Sequence, residues 1–253
     1  MLILGLDSSA VAGSCALCDI DPENSKNNKI IAGSFINTRQ THSQTLLPMV
    51  ENMLRCAEID MKSLDCIAVT SGPGSFTGIR IGVAAVKGLA FALNIPCTGV
   101  STLHALAFNL LGIDCIACAV MDARCSQYYN ALFRIRGNII ERITEDRAIS
   151  NEDLAKELSQ YNDNRIILVG DGAELAGKSL NGVQDDEGKP ILNGVQTELA
   201  PLSLRLQRAE SVCLAAPEYK KVSAKELLPV YLRLPQAERE RLKREIDNEN
   251  RSK

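Results

Sequence analysis

Tryptophan is absent from the 253-residue chain, aromatic residues make up only 4%, and histidine occurs twice, at His42 and His104. So few aromatic rings leave little for bases to stack on. Neither histidine has a second one four residues away, which excludes the helix-borne histidine pair of zinc enzymes. A basic excess is also missing: 28 Lys and Arg stand against 31 Asp and Glu, a net charge of −3. A chain that holds nucleic acid alone carries a basic face, so any nucleic-acid role is expected to be shared with a partner. The opening Met1–Leu6 has no basic region before it and is interrupted by Asp7, unlike a signal peptide. Ala12-Gly13-Ser14-Cys15 lacks the flanks of a lipoprotein cleavage site. No stretch reads as long and apolar enough to span a bilayer, and the expected compartment is the cytoplasm.

Nine cysteines are too few for a disulfide scaffold at this length. Cys15/Cys18 and Cys115/Cys118 have Cys-x-x-Cys spacing, but each pair lies in an apolar run that reads as a strand. Residues i and i+3 of a strand point to opposite faces, so neither pair is expected to chelate a metal.

What is present is ordinary globular composition, 45% hydrophobic and 23% charged, in a length that holds one large core or two modest ones. The chain is organised around Gly72-Pro73-Gly74-Ser75-Phe76-Thr77-Gly78-Ile79-Arg80-Ile81-Gly82. Cys66–Thr70 before it is a buried strand, and Ser75–Asn94, closed by Pro96, is a helix with Ser75 as its N-cap. Gly78, Gly82 and Ala85 share one helix face. Each interior glycine costs about 1 kcal/mol relative to alanine, so that face should gain from a close approach. The spacing is neither a Walker loop nor a dinucleotide fingerprint, and close helix packing is favoured over phosphate binding.

Before this unit come three strands, Leu2–Leu6, Gly13–Asp19 and Ile30–Asn37, in an antiparallel meander. A helix beginning at Ser43 or Gln44 follows, with a stripe of Leu46, Val50, Met53 and Ala57 that also carries Met49. After it, Cys97–Val100 is a strand and Leu103–Leu111 a helix capped by Ser101-Thr102. The order then recurs. Cys115–Met121 is a strand ending at Asp122, Tyr128–Arg134 and Ile139–Ile143 form a hairpin, Ser150 caps a helix over residues 151–161, and Arg165–Val169 is a strand ending in Gly170-Asp171-Gly172. Two tandem copies of one α/β architecture are expected. Leu202–Ala216 reads as a helix, Leu227–Arg233 as a closing extended segment, and residues 236–253 as a mixed-charge tail, solvated or disordered. Asn-Gly-Val-Gln, at Asn181 and again at Asn193, has no further period.

Asp7, followed by Ser8, and Asp122 each end the first strand of a copy. They could face one another across a cleft, where such carboxylates hold a metal or activate a nucleophile in phosphotransferases, or each could support its own turn. Gly170 and Gly172 could approach an adenosine. A serine peptidase is not supported, because Ser75 lacks the Gly-x-Ser-x-Gly elbow and has no candidate base. His42 is expected to cap or pack.

Leu4-Gly5-Leu6-Asp7-Ser8-Ser9, Thr41-His42-Ser43-Gln44-Thr45-Leu46-Leu47-Pro48, the Gly72–Gly82 stretch and Gly99-Val100-Ser101-Thr102-Leu103 resemble the TsaB (YeaZ) family. The resemblance is specific over residues 1–124 and thins beyond them. It implies an actin-like (ASKHA) ATPase fold of two ribonuclease-H-like subdomains, residues 1–104 and 105–201, the first rejoined by a helix within 202–235. It implies a non-catalytic subunit in the synthesis of N6-threonylcarbamoyladenosine at tRNA position 37. Its partners would be TsaD, which performs the transfer, and the ATPase TsaE, with tRNA reached through the complex. The partner face is then expected at Leu46, Met49, Val50, Met53, Gly78, Gly82 and Ala85, and it would form a homodimer when TsaD is absent. Asp7, Ser8, Asp122, Gly170 and Gly172 become the vestige of a nucleotide or anion site. No metal and no cofactor of its own is implied, with ATP or ADP left open at the interface of the complex. An independent ATPase or kinase is the alternative.

Overall fold

A computed structural model describes residues 1–233 apart from 39, 125–126, 163, 185–186 and 193–194. The expected charged tail and the first two residues of the second Asn-Gly-Val-Gln, Asn193 and Gly194, lie outside the described residues.

The first sheet contains β1 (Leu2–Asp7), β2 (Ala12–Asp19), β3 (Lys29–Asn37), β4 (Cys66–Gly72) and β5 (Cys97–Ser101), in the order β3-β2-β1-β4-β5. The first three strands pair antiparallel, and β4 and β5 add in parallel. The second sheet has β6 (Cys115–Asp122), β7 (Gln127–Arg136), β8 (Ile139–Arg142), β9 (Arg147–Ser150), β10 (Ile166–Val169) and β11 (Thr197–Leu199). Its order is β11-β10-β6-β7-β8, with β9 beside β7. Read from β8, this is the first sheet's topology again, with β6 in the place of β1.

Buried on both faces, the central strands read as continuous apolar runs rather than alternating ones. On one face of the first sheet, Leu4, Leu6, Cys15 and Leu17 meet helices α1 (His42–Cys56) and α2 (Phe76–Leu93). Ile3, Ala16 and Cys18 face the other way, onto α3 (Thr102–Phe108) and α7 (Ala209–Ala215). Cys15 and Cys18 therefore sit in different cores, as do Cys115 and Cys118. Burial pushes the Cys15 and Cys118 thiols up to about 12. In the second lobe, α4 (Asn151–Leu158) and α5 (Ala173–Leu180) cover one face. The other meets Leu103, Leu106, Ala107 and Leu110, while Ala105 and Phe108 pack against the first sheet. Helix α3 is thus shared by both lobes, and the expected boundary at residue 104 falls inside it.

Several expectations are corrected. Helix α1 starts at His42, leaving Pro48 inside it; His42 Nε2 lies 2.6 Å from the Ala10 carbonyl and ties down its first turn. The helix expected over Leu202–Ala216 is broken into α6 (Leu202–Arg205) and α7. Asn109 Nδ2 donates to the carbonyls of Leu204 and Leu206, and the Gly170 N–H takes that of Arg205. Three successive carbonyls that would continue the helix are committed elsewhere. Strands β9 and β11 and helix α5 are additions: both strands are short, and α5 has no side-chain cap and contains Gly177. Finally, α2 is 18 residues long with a mean hydropathy of 1.5, enough by length and composition to cross a membrane. The expectation that no stretch reaches that threshold does not hold, although here α2 packs along β4.

Candidate functional site

The chain presents two candidate surfaces, the cleft between the lobes and the outer side of α2. The cleft has a volume of about 580 Å³. Its walls include Ser9, Gly74 and Ser75 from the first lobe, Asp122, Arg124 and Asp171 from the second, and Val230–Arg233 of the closing segment.

Asp122 lines this cleft but Asp7 does not, so the two carboxylates do not face one another. Asp7 is 1% exposed. Its Oδ1 accepts the Ser9 N–H at 2.9 Å and the Ser9 hydroxyl at 2.8 Å, while Oδ2 is buried without a hydrogen-bond partner. Burial pushes its pKa up to about 6, against the pull of the Ser9 N–H, the Ser9 and Thr70 hydroxyls and His42. Asp122 Oδ1 accepts the Arg124 N–H at 2.7 Å, and Arg124 has φ 61°. Each aspartate thus accepts a backbone N–H two residues ahead and holds the turn at the end of its sheet's first strand. Such duplication is that of the two sheets.

On the same lobe's wall of the cleft as Asp122 lies Asp171, between two glycines and not among the residues expected at the site. It keeps solvent-accessible surface on the cleft wall yet is crowded enough that burial pushes its pKa up to about 6. The Gln207 amide, donating at 3.0 Å, works against that shift, and Asp122 adds repulsion. The recurring pattern of an aspartate at a strand end could have found it. At Gly170 and Gly172 the chain's own backbone fills the space a side chain would take: a Cβ at Gly170 would overlap the Val120 carbonyl, and one at Gly172 would crowd the backbone of Met121 and Asp122. Both glycines serve close packing of β10 against β6. Ser8 is fully buried and donates to the Gly78 carbonyl at 2.8 Å. Among the described residues, no three His, Cys, Asp or Glu side chains converge as metal ligands would.

The Ser75 hydroxyl accepts the Gly78 N–H at 3.3 Å, as an N-cap. The glycine face of α2 points inward rather than to a partner. A Cβ at Gly78 would overlap the Ser8 carbonyl, and one at Gly82 would strike the Ser8 hydroxyl and meet Val69 at 3.3 Å. Likewise, Leu46, Val50 and Met53 are buried in the core of the first lobe. Five of the expected partner-facing residues are therefore consumed by the chain's own packing; Met49 and Ala85 remain half-buried. The outer side of α2 carries Arg80, Ala84, Gly88 and Phe91, the last 82% exposed, and nothing lies within 4 Å of where a Gly88 Cβ would be. On α1, Leu47 is 45% exposed. Within the apolar window of α2, only 33% is buried.

Comparison with known proteins adds a family to this geometry. Residues 31–238 match the family model described as TsaD: tRNA N6-adenosine threonylcarbamoyltransferase. The chain is 28% identical over 238 residues to the tRNA threonylcarbamoyladenosine biosynthesis protein TsaB of Bacillus subtilis, covering 94% of this chain and 96% of the relative. For the Escherichia coli protein of the same name the identity is 29%, with 92% and 95% covered. The solved structure of YeaZ from Pseudomonas aeruginosa superposes with a TM-score of 0.70 at 26% identity, covering 91% of this chain and 99% of that one. Another, titled as similar to peptidase YEAZ, gives 0.71 at 27% identity over 92% and 99%. Together with the duplicated sheets, these matches make the fold the actin-like ATPase fold of two tandem lobes.

Proposed function

The chain belongs to the TsaD-type family, within it to the TsaB (YeaZ) group, and we propose that it is a non-catalytic subunit of tRNA threonylcarbamoyladenosine synthesis that binds and activates TsaD. One observation carries this reading: α2 is apolar enough to cross a membrane, yet only a third of that window is buried in this chain. Apart from Thr77, Arg80 and Lys87 the helix is apolar or glycine, and an apolar side left open needs cover. Its inner side is covered by Ser8, Val69 and the first-lobe core. The outer side beyond Arg80, with Ala84, Gly88 and Phe91, is left for another chain. Small residues at Ala84 and Gly88 would let a second helix approach closely. The relevant face is thus rotated away from the glycines first expected to form it. In the absence of TsaD, a second copy of the chain would pair through the same face.

TsaE and tRNA join through the assembly, in the cytoplasm, and this chain supplies no cofactor; ATP or ADP would belong to the interface of the complex. Buried Asp7 and the packed Gly170 and Gly172 contribute nothing to chemistry in this reading. The test is reconstitution with TsaD, TsaE, tRNA and threonylcarbamoyl-adenylate, following transfer to tRNA. Transfer is expected to require this chain, to fall at least tenfold with Ala84→Arg/Gly88→Arg, and to survive Asp7→Asn. Unchanged transfer with the double arginine variant would remove α2 as the interface. Loss of transfer with Asp7→Asn in an assembled complex would favour the independent ATPase.

A further inference from the structure

The two covalent passages between the lobes meet at one place. The chain crosses from α3 to β6 and returns between α6 and α7. Asn109 joins these passages, donating to Leu204 and Leu206 at 2.7 and 2.8 Å and accepting the Ser211 hydroxyl at 2.6 Å. Neither Asn109 nor any α3 residue lines the cleft, whereas four residues of the closing segment do. Lobes joined through a single region can hinge about it unless something ties them on the open side.

The closing segment makes that tie. It runs along the first lobe, where Val222 and Cys97 exchange backbone hydrogen bonds at 2.8 and 2.9 Å. Leu227 is buried in the first core, and Lys87 Nζ donates to its carbonyl at 3.0 Å. The Val230 N–H donates to Ser71 at 2.7 Å, and a Cβ on Gly72, at φ 135°, would overlap the Val230 carbonyl. Tyr231 then packs on Phe76, with ring centroids 4.8 Å apart, and accepts from Arg80 Nε at 2.8 Å. The Arg80 guanidinium lies 3.7 Å over the Phe76 ring. Two residues later the segment has reached the other lobe. Arg233 donates to the carbonyl of Ala123 at 2.8 Å and is 3.5 Å from that of Arg124. Those carbonyls belong to the turn that Asp122 holds.

We propose that residues 227–233 form a latch across the cleft, which fixes the separation of the lobes and lets the cleft open when it is released. Leu227, Val230 and Tyr231 anchor it, and Arg233 is its catch. The anchor is a buried side chain plus backbone bonds, while the catch is one half-buried side chain on two carbonyls, so release occurs at the Arg233 end. This inference does not depend on TsaD binding.

The test is native-state hydrogen exchange on the full chain, comparing wild type with Arg233→Ala and Tyr231→Ala, with circular dichroism confirming that each is folded. A latch predicts at least tenfold faster exchange at the cleft-facing segments of both lobes, Ser75–Gly78 and Met121–Arg124, in both variants. The strand interiors at Leu4–Leu6 and Ala117–Ala119 should be unaffected. Arg136→Ala, an exposed second-lobe position away from the cleft, should change neither segment. If Arg233→Ala disturbs only Met121–Arg124 and Tyr231→Ala only Ser75–Gly78, the contacts are local and the latch is wrong. Unchanged exchange in both variants would overturn it equally.

Discussion

Ser8 and Gly78 are locked together: the Ser8 hydroxyl donates to the Gly78 carbonyl at 2.8 Å, and a methyl group on Gly78 would overlap the Ser8 carbonyl oxygen. This pair fixes the start of α2 against the end of β1. It also explains why a helix that could be all alanine on that side carries glycine instead.

Substitutions along this one helix should therefore differ in sign. Gly78→Ala meets backbone that cannot give way, and a loss of about 1–3 kcal/mol is expected from overpacking, more than alanine's helix propensity returns. Gly88→Ala enters open space and should gain up to about 1 kcal/mol. Urea unfolding of the two variants checks both. By the same reasoning Gly82→Leu would disturb the first lobe itself, so it cannot report on partner binding.

Self-association should follow the exposed side of α2. Phe91→Ser removes the most exposed large apolar side chain of that helix, and Ala84→Arg puts a charge on the same face, about two turns before it. Sedimentation velocity of the isolated protein is expected to show a dimer for wild type and a monomer for the double variant. The unfolding free energy from urea titration should move by no more than surface substitutions usually cause, about 0.5 kcal/mol.

Asp7 gives the stability profile a definite direction. Its folded pKa, about 6, lies above the ordinary 3.8 because burial disfavours the carboxylate. The folded state therefore holds this proton more tightly than the unfolded chain. Stability from this group is full below about pH 4 and is lost as pH rises to about 6. Asp7→Asn, which can still accept from Ser9, should be more stable than wild type at pH 7, by on the order of 2 kcal/mol. The difference should shrink to nothing near pH 4. Thermal melts across that range check it.

His104 has the opposite linkage. It is buried, stacked on Phe133 at 5.2 Å with its Nδ1 2.9 Å from the Tyr219 hydroxyl. Burial first, and then Arg142, hold its pKa down to about 4. Stability from keeping it neutral is full above about pH 6.5 and is lost as pH falls toward 4. A proton NMR titration should show the imidazole of His104 neutral at pH 5, with a midpoint near 4.

How much of this was legible beforehand differs between elements. The strand, turn and helix around Gly72–Gly82 could be read because Gly, Pro and a capping Ser punctuate an apolar run, and Ser75 does cap α2. The duplicated order was visible in the aspartates that end β1 and β6. Short elements were not: a three-residue β11 has too few positions for any period. The break between α6 and α7 depends on Asn109, roughly a hundred residues away in the chain, and no local pattern encodes it.

The sequence alone determined that Gly78 and Gly82 share a helix face and that this face needs a close neighbour. Local periodicity and the absence of a Cβ are enough for that. Which surface meets which was decided only in three dimensions. Ser8 came to occupy the glycine face, Asp7 turned into the core, Asp171 rather than Asp7 joined Asp122 in lining the cleft, and Arg233 reached across to Ala123. Periodicity says that a face must be covered; only the packing of distant segments, with their hydrogen bonds and excluded volume, says what covers it.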